Sequence, residues 1–286
     1  MKLTHRALAL LLTLILIALP LTSCGGGSDT DTVAVSIPPE AAFVHAVAGD
    51  DFNVVTLVPP GYSPEAYEPT VRTMMAFADA TLFFSIGVPV DEATLIPALS
   101  DKTRHVALNE VAASVYSELT IDGGRDPHVW LSPKRVKVMV TAIAEELAFL
   151  RPDRAEVYRQ NAAAYCASLD AADARIRTAL DASGVREFIV YHPAFGYLAD
   201  EYGLTMYALE EHGSEATATD LAEMIDFARD RGIKVIFYQA ETDGRQAEAF
   251  AAEVGGSAVM LSPLSEEYIQ NLEAMADAIV SASKGE

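Results

Sequence analysis

Cysteine is scarce in this 286-residue chain, which has only Cys24 and Cys166. Cys24 follows an apolar N-terminal run and Cys166 falls within a helical pattern. No disulfide is expected, so a large hydrophobic core must supply the stability. Basic residues are also few: 20 Lys and Arg stand against 41 Asp and Glu, a formal charge of −21. Such a surface repels phosphate backbones, which excludes nucleic acid as a partner. It is compatible with a cation ligand, although acidic surfaces also serve solubility alone. The longest apolar run, Ala7 to Leu19, is shorter than the about 20 residues a spanning helix needs. Neither H-E-x-x-H nor G-x-S-x-G occurs, so the usual signatures of zinc proteases and serine hydrolases are missing. Tryptophan occurs once, as Trp130 in "DPHVWLSP" at residues 126–133, where a histidine is held between two prolines.

The opening "MKLTHRALALLLTLILIALPLTSC" has a basic start (Lys2, Arg6), an apolar stretch and small residues before Cys24. It reads as an export signal. Leu21-Thr22-Ser23-Cys24 resembles the lipobox of bacterial lipoproteins, in which the cysteine is acylated. Residues 1–23 are thus expected to be a lipoprotein signal peptide and Cys24 the lipidation site, with an uncleaved N-terminal anchor as the alternative. The chain is then expected to work outside the cytoplasm, tethered to the cell envelope. The Gly- and Ser-rich segment that follows, within 24–32, has little apolar surface to bury and reads as a flexible linker.

From residue 32 short β-rich runs alternate with helical patterns, the signature of parallel sheets covered by helices. "TVAVSI", "NVVTLV", "TLFFSIG" and "HVALNE", starting at Thr32, Asn53, Thr81 and His105, form one set. "EFIVYH", "TMYALE", "KVIFYQ" and "SAVMLS", starting at Glu187, Thr205, Lys234 and Ser257, form another. Between the sets a helical stretch runs from Pro133 to about Ala182, broken at "RPD" (151–153). Its second part, about 30 residues, would span roughly 45 Å at 1.5 Å per residue and could bridge two lobes. The expected fold class is α/β. Two lobes (33–150 and 185–286), each a mainly parallel four-stranded sheet flanked by helices, are joined by one long linker helix (151–184). Thr217 with Asp220 reads as a capping box.

In open parallel sheets ligands gather at the carboxyl ends of strands. Four polar residues sit just past such ends or the loops they lead into: Glu65 in "PPGYSPEAYEPT", His128 in "DPHVWLSP", His192 after "EFIVYH" and Glu241 in "KVIFYQAET". Two imidazoles and two carboxylates converging across a cleft would form a four-ligand site for a divalent transition metal.

The motifs "LVPPGYSPEAYEPT", "DPHVWLSP", "YHPAFGYLADEYGL" and "KVIFYQAET" resemble, in order and spacing, those of the zinc and manganese substrate-binding proteins of bacterial ABC transporters, the cluster A-I family. The resemblance covers nearly all of the mature chain. It implies two lobes joined by one long helix, a metal held between them with His128 and His192 among its ligands, and delivery to an ABC permease. Two positions depart from the pattern. The family commonly has histidine where Glu65 stands, and aspartate where Ser262 stands in "LSPLSEEY". Serine is a poor neutral donor, so the fourth ligand is assigned to Glu241 rather than to Glu210, Glu211 or His212 of "LEEHGSE". The long histidine-rich loop of some zinc-binding members is missing.

The expected ligand is Zn2+, with Mn2+ as the alternative, because two imidazoles suit zinc and added oxygen shifts a site toward manganese. The protein is expected to be a monomer and not an enzyme. The competing reading is an extracellular metal-dependent hydrolase, and an adhesin role is a third. His45 and His105 are read as solvated or hydrogen-bonded, and His5 leaves with the signal. Trp130 and Tyr67 are read as packing residues that orient the ligand loops, and Met74 with Met75 as core.

Overall fold

The computed structural model describes residues 31–121, 123–210 and 216–284. The calls on residues 1–23, Cys24, the linker before Asp31, Glu211 and His212 lie outside the described residues.

The first set of β-rich runs forms strands β1 (Thr32–Val35), β2 (Asn53–Thr56), β3 (Leu82–Ser85) and β4 (Arg104–Ala107). They pair in the order β2-β1-β3-β4, all parallel. The chain thus switches direction between β1 and β3, where the crevice of a parallel sheet opens. Here that crevice is filled by the protein's own side chains. Asp91 accepts hydrogen bonds from the Ile86, Gly87 and Val88 N–H groups at 3.1, 2.8 and 3.2 Å and from the Ser36 hydroxyl at 2.6 Å. Beside it the buried Glu40 accepts from the Ser36 and Ile37 N–H groups. Glu40 lies in the first turn of helix α1 (Pro38–Ala48), which starts on two prolines whose missing N–H groups cost nothing there. Burial, with Asp91 adding to it, pushes the Glu40 carboxyl well up.

Helix α2 (Val71–Ala78) follows the Glu65 loop, capped by the Thr70 hydroxyl. Met74 is half-buried, but Met75 is 67% exposed, so the reading of that pair as core fails at Met75. The eight-residue α2 buries only Phe77, and its one-sided packing leaves Met75 facing outward. "HVALNE" is strand only through Ala107. From Leu108 it becomes the short helix α3 (Leu108–Ala113), followed by an antiparallel hairpin of β5 (Thr120–Ile121) and β6 (Gly124–Arg125).

Helix α4 (Pro133–Leu150) and helix α5 (Ala155–Ser183) flank the break at "RPD", which makes one 3-10 turn at Pro152–Arg154. The 29 residues of α5 bury one stripe, Tyr158, Ala162, Leu169, Ala172, Ile176 and Leu180. The helix ends at Gly184, whose φ of 74° is the left-handed conformation that stops a helix without a Cβ penalty.

The second set forms β7 (Glu187–Val190), β8 (Thr205–Ala208), β9 (Val235–Gln239) and β10 (Ser257–Leu261), in the parallel order β10-β9-β7-β8. Helices α6 (Gly196–Tyr202), α7 (Ala218–Arg231), α8 (Arg245–Val254) and α9 (Tyr268–Lys284) connect and follow these strands. The Thr217–Asp220 capping box is present at the start of α7. The fold is thus α/β with two parallel four-stranded sheets flanked by helices and one long helix between them. One core cluster runs through residues of both sheets and α5. The final helix, α9, packs on α5, and its first residue Tyr268 meets Phe43 of α1 edge-on, with ring centroids 4.9 Å apart.

Candidate metal centre

His192 lies two residues past β7, where the second sheet switches direction between β7 and β9. His128 follows the β5–β6 hairpin and opens a 3-10 turn, Val129–Leu131, that locks it against the buried Trp130. The Trp130 indole N–H donates to the Pro263 carbonyl at 2.9 Å, while the Tyr268 hydroxyl donates to the Trp130 carbonyl. Trp130 therefore ties the His128 loop to the segment that carries Ser262, as expected of an orienting residue. Glu65 comes from the proline-stiffened loop after β2.

These three side chains meet. One ligand atom from each of Glu65, His128 and His192 lies within 4.8 Å of the others. Glu65 Oε1 stands 3.1 Å from His192 Nε2 and 3.5 Å from His128 Nε2. For bonds of 2.0–2.1 Å, the edge of a tetrahedron around zinc is roughly 3.3 Å, so both separations suit ligation. The other ring nitrogens face away and are held by carboxylates. Asp126 Oδ1 is 2.8 Å from His128 Nδ1 and accepts the His128 backbone N–H at 2.9 Å. Glu210 Oε2 is 2.9 Å from His192 Nδ1. A carboxylate on Nδ1 fixes ring and tautomer so that Nε2 presents its lone pair to a metal.

The electrostatics follow from this arrangement. Burial works against a charged His192, but the hydrogen bonds to Glu210 and Glu65 outweigh it and push the imidazole up to about 9. Burial likewise works against the Glu65 charge, yet His192 and His128 hold its carboxyl below the ordinary value. A cation seated between Glu65 and His192 would have to displace the proton that this contact favours on the imidazole.

Glu241 is not one of the three converging residues. It lies two residues past β9 and lines a neighbouring opening of about 670 Å³ with Tyr62, Tyr67, Glu68, Thr70 and Thr73. Burial pushes its carboxyl up, and its Oε2 is buried without a hydrogen-bond partner. The three-residue cluster opens instead onto a cavity of about 700 Å³ lined also by Arg125, Glu92 and Pro193. At its rim the Arg125 guanidinium is fixed at 2.6 Å from both the Gly87 carbonyl and Glu92. His105 is hydrogen-bonded to Ser85 at 2.8 Å and His45 to the Gly49 carbonyl at 3.1 Å, the default roles given to them.

Sequence reasoning passed over Asp126 as the partner of His128 and named Glu210 only as an alternative donor. The i, i+2 spacing of Asp126 and His128 in "DPH" was the available signal. Glu210 sits 18 residues from His192, and only the pairing of β7 with β8 brings them together.

Two parallel sheets, one long connecting helix and a His-His-Glu cluster between the strand ends define a two-lobed, helix-linked binding protein. Comparison with known families places it further: the zinc-uptake complex component A periplasmic family (ZnuA) matches residues 33–282, and the chain belongs to it. Among curated proteins it is similar to the high-affinity zinc uptake system protein ZnuA of Bacillus subtilis strain 168, 28% identical over 281 residues and 88% of each chain. It is also similar to the zinc-binding lipoprotein AdcA of Streptococcus pneumoniae serotype 4, 29% identical over 251 residues and 81% of this chain. The chain spans about half the length of that relative, 50%. A crystal structure of ZnuA superposes with a TM-score of 0.83 at 32% identity, covering 89% of this chain and 100% of that one.

Proposed function

We propose that this chain is the extracytoplasmic solute-binding component of an ABC uptake system. It captures a divalent transition metal, zinc in preference to manganese, between its two lobes and passes it to a membrane permease. The observation that carries this reading is the convergence of Glu65, His128 and His192, with both Nδ1 atoms held by carboxylates. Two imidazoles favour zinc, and carboxylate oxygen in the donor set admits manganese. Relatives named for zinc uptake and zinc binding support the same choice.

In this reading Glu65, His128 and His192 are donors. Glu241 is the fourth, supported by a buried Oε2 that has no partner, a state that calls for an explanation. The lobes are residues 33–150 and 185–286, linked by 151–184. Residues 1–23 direct export, Cys24 carries a lipid that anchors the chain to the envelope through the 24–32 linker, and the protein acts as a monomer. The absence of H-E-x-x-H and G-x-S-x-G signatures, together with membership of an uptake family, favours this over the hydrolase reading.

Titration of metal-free protein with Zn2+ against a chromophoric chelator tests the proposal. One tight site per chain, lost in His128→Ala and in His192→Ala while the circular dichroism stays native, is the expected result. Wild-type affinity in either variant would remove that histidine from the ligand set. Turnover of ester, peptide or phosphate substrates dependent on the same histidines would restore the enzyme reading.

A further inference from the structure

His192 and Gly196 stand at the two ends of one turn, "HPAFG", which leads from β7 into α6. His192 faces Glu65 and His128. Gly196 faces something else: a Cβ built on it would lie 2.5 Å from Asp126 Oδ2 and 3.7 Å from Asp126 Cγ, with no other heavy atom within 4 Å beyond its chain neighbours and the backbone of its own helix. Asp126 is 2% exposed and comes from the other lobe, and its second oxygen, Oδ1, carries the His128 ring and backbone N–H. The glycine therefore leaves open the space in which the carboxylate that orients His128 sits.

Each side resists giving way to a side chain at that place. Asp126 cannot withdraw without breaking its two contacts to His128. Helix α6 cannot withdraw either, because it is fastened to the same lobe as Asp126. The Tyr197 hydroxyl oxygen accepts from the Leu119 N–H at 3.0 Å, and Glu201 accepts from the Ser132 hydroxyl at 2.6 Å and pairs with Lys134 at 3.1 Å. The Arg135 guanidinium lies over the Tyr197 ring, 4.7 Å from its centre. A separation of 2.5 Å is far inside carbon–oxygen contact distance, so something must shift, and the short Asp126 side chain is what stands in the way.

We infer that Gly196 is a positioning residue of the metal centre. By carrying no side chain it lets Asp126 of the first lobe seat against α6 of the second and hold the His128 ring with Nε2 toward the metal. One turn of the second lobe thereby places its own ligand, His192, and through Asp126 sets the orientation of the opposite lobe's ligand. The inference rests on the proposed role of His128 as a donor.

The test compares wild type, His128→Ala, Gly196→Ala, Asp126→Ala and the Gly196→Ala/Asp126→Ala double variant. Zn2+ affinity is read by chelator competition, and the His128 ring by its nitrogen NMR signals in the metal-free protein. Gly196→Ala and Asp126→Ala are each expected to weaken Zn2+ binding by about 10–100-fold, the usual cost of losing an outer-shell partner. Both are expected to abolish the signature of an Nδ1-protonated, Nε2-free ring. The double variant should match Asp126→Ala alone, because the added methyl then meets nothing.

Wild-type affinity in Gly196→Ala, losses that multiply in the double variant, or an unchanged His128 signal would each overturn the inference. Should Gly196→Ala fail to fold, the double variant is expected to fold; if it too is unfolded, the clash is not with Asp126 and the inference falls. Wild-type Zn2+ binding by His128→Ala would instead sink the ligand role of His128. The ring signal in Gly196→Ala would then decide the positioning claim on its own.

Discussion

Lowering the pH from 8 to 6.5 is expected to weaken Zn2+ binding about 30-fold through His192 alone. The metal-free imidazole, placed between Glu210 and Glu65, is pushed up to about 9. If His192 is a ligand, zinc must take Nε2 from its proton, so below that value the apparent affinity falls by about tenfold per pH unit. A free imidazole, titrating near 6.5, would give less than a twofold change over most of this interval. The same proton acts oppositely on the metal-free fold. A histidine whose folded value lies above its unfolded one contributes stability that is fully present below about 6.5 and is lost as pH rises through about 9. The shift corresponds to about 3 kcal/mol. The metal-free Tm should therefore fall over the range in which zinc affinity rises. The assay is chelator competition at fixed ionic strength, with the chelator calibrated at each pH, beside thermal melts of the metal-free protein. Glu210→Gln weakens the pull on the Nδ1 proton and should move the loss of affinity to lower pH. A constant affinity between pH 8 and 6.5, or an unchanged profile in Glu210→Gln, would refute this reasoning.

If Glu65 is a donor, Glu65→His is expected to raise the zinc-over-manganese preference at least tenfold, while Ser262→Asp adds an anionic donor and tightens both; competition between the two metals reads this directly. If Glu241 supplies the fourth donor, Glu241→Gln should cost about tenfold or more in zinc affinity, and adding Ser262→Asp should recover it. Unchanged binding in Glu241→Gln would leave three protein donors. Trp130→Phe removes the N–H that satisfies the Pro263 carbonyl and should destabilise the fold by about 1–3 kcal/mol in denaturant titration, with zinc affinity falling as the His128 turn loosens.

The alternation of β-rich runs with helical spacing made the two sheets and the long helix legible, because each strand is short, apolar and bounded by turn residues. The convergence of Glu65, His128 and His192 was legible, because their chemistry suits a metal and their positions follow strand ends. It was less legible at Glu241. A position past a strand end says which end of the sheet a residue occupies, but not toward which neighbouring opening its side chain turns. Asp126, Glu210 and Gly196 act through contacts made by tertiary packing. A glycine whose value lies in what it leaves open across 70 residues of sequence has no local signal. Met75 shows the converse limit: helical spacing marks a possible buried face, whereas the length of the helix and its neighbours decide how much of that face is covered.

The fastening of Trp130 between Pro263 and Tyr268 bears on the order in which the molecule comes into being. Trp130 gains these two bonds only once residues 263 to 268 are in place, so a chain appearing N-terminus first carries both Glu65 and His128 well before the turn around His128 has this anchor. His192 follows, and still the turn around Trp130 lacks its anchor. In the proposed reading, the turn that presents His128 to a metal is therefore anchored only when residues 263 to 268 have emerged.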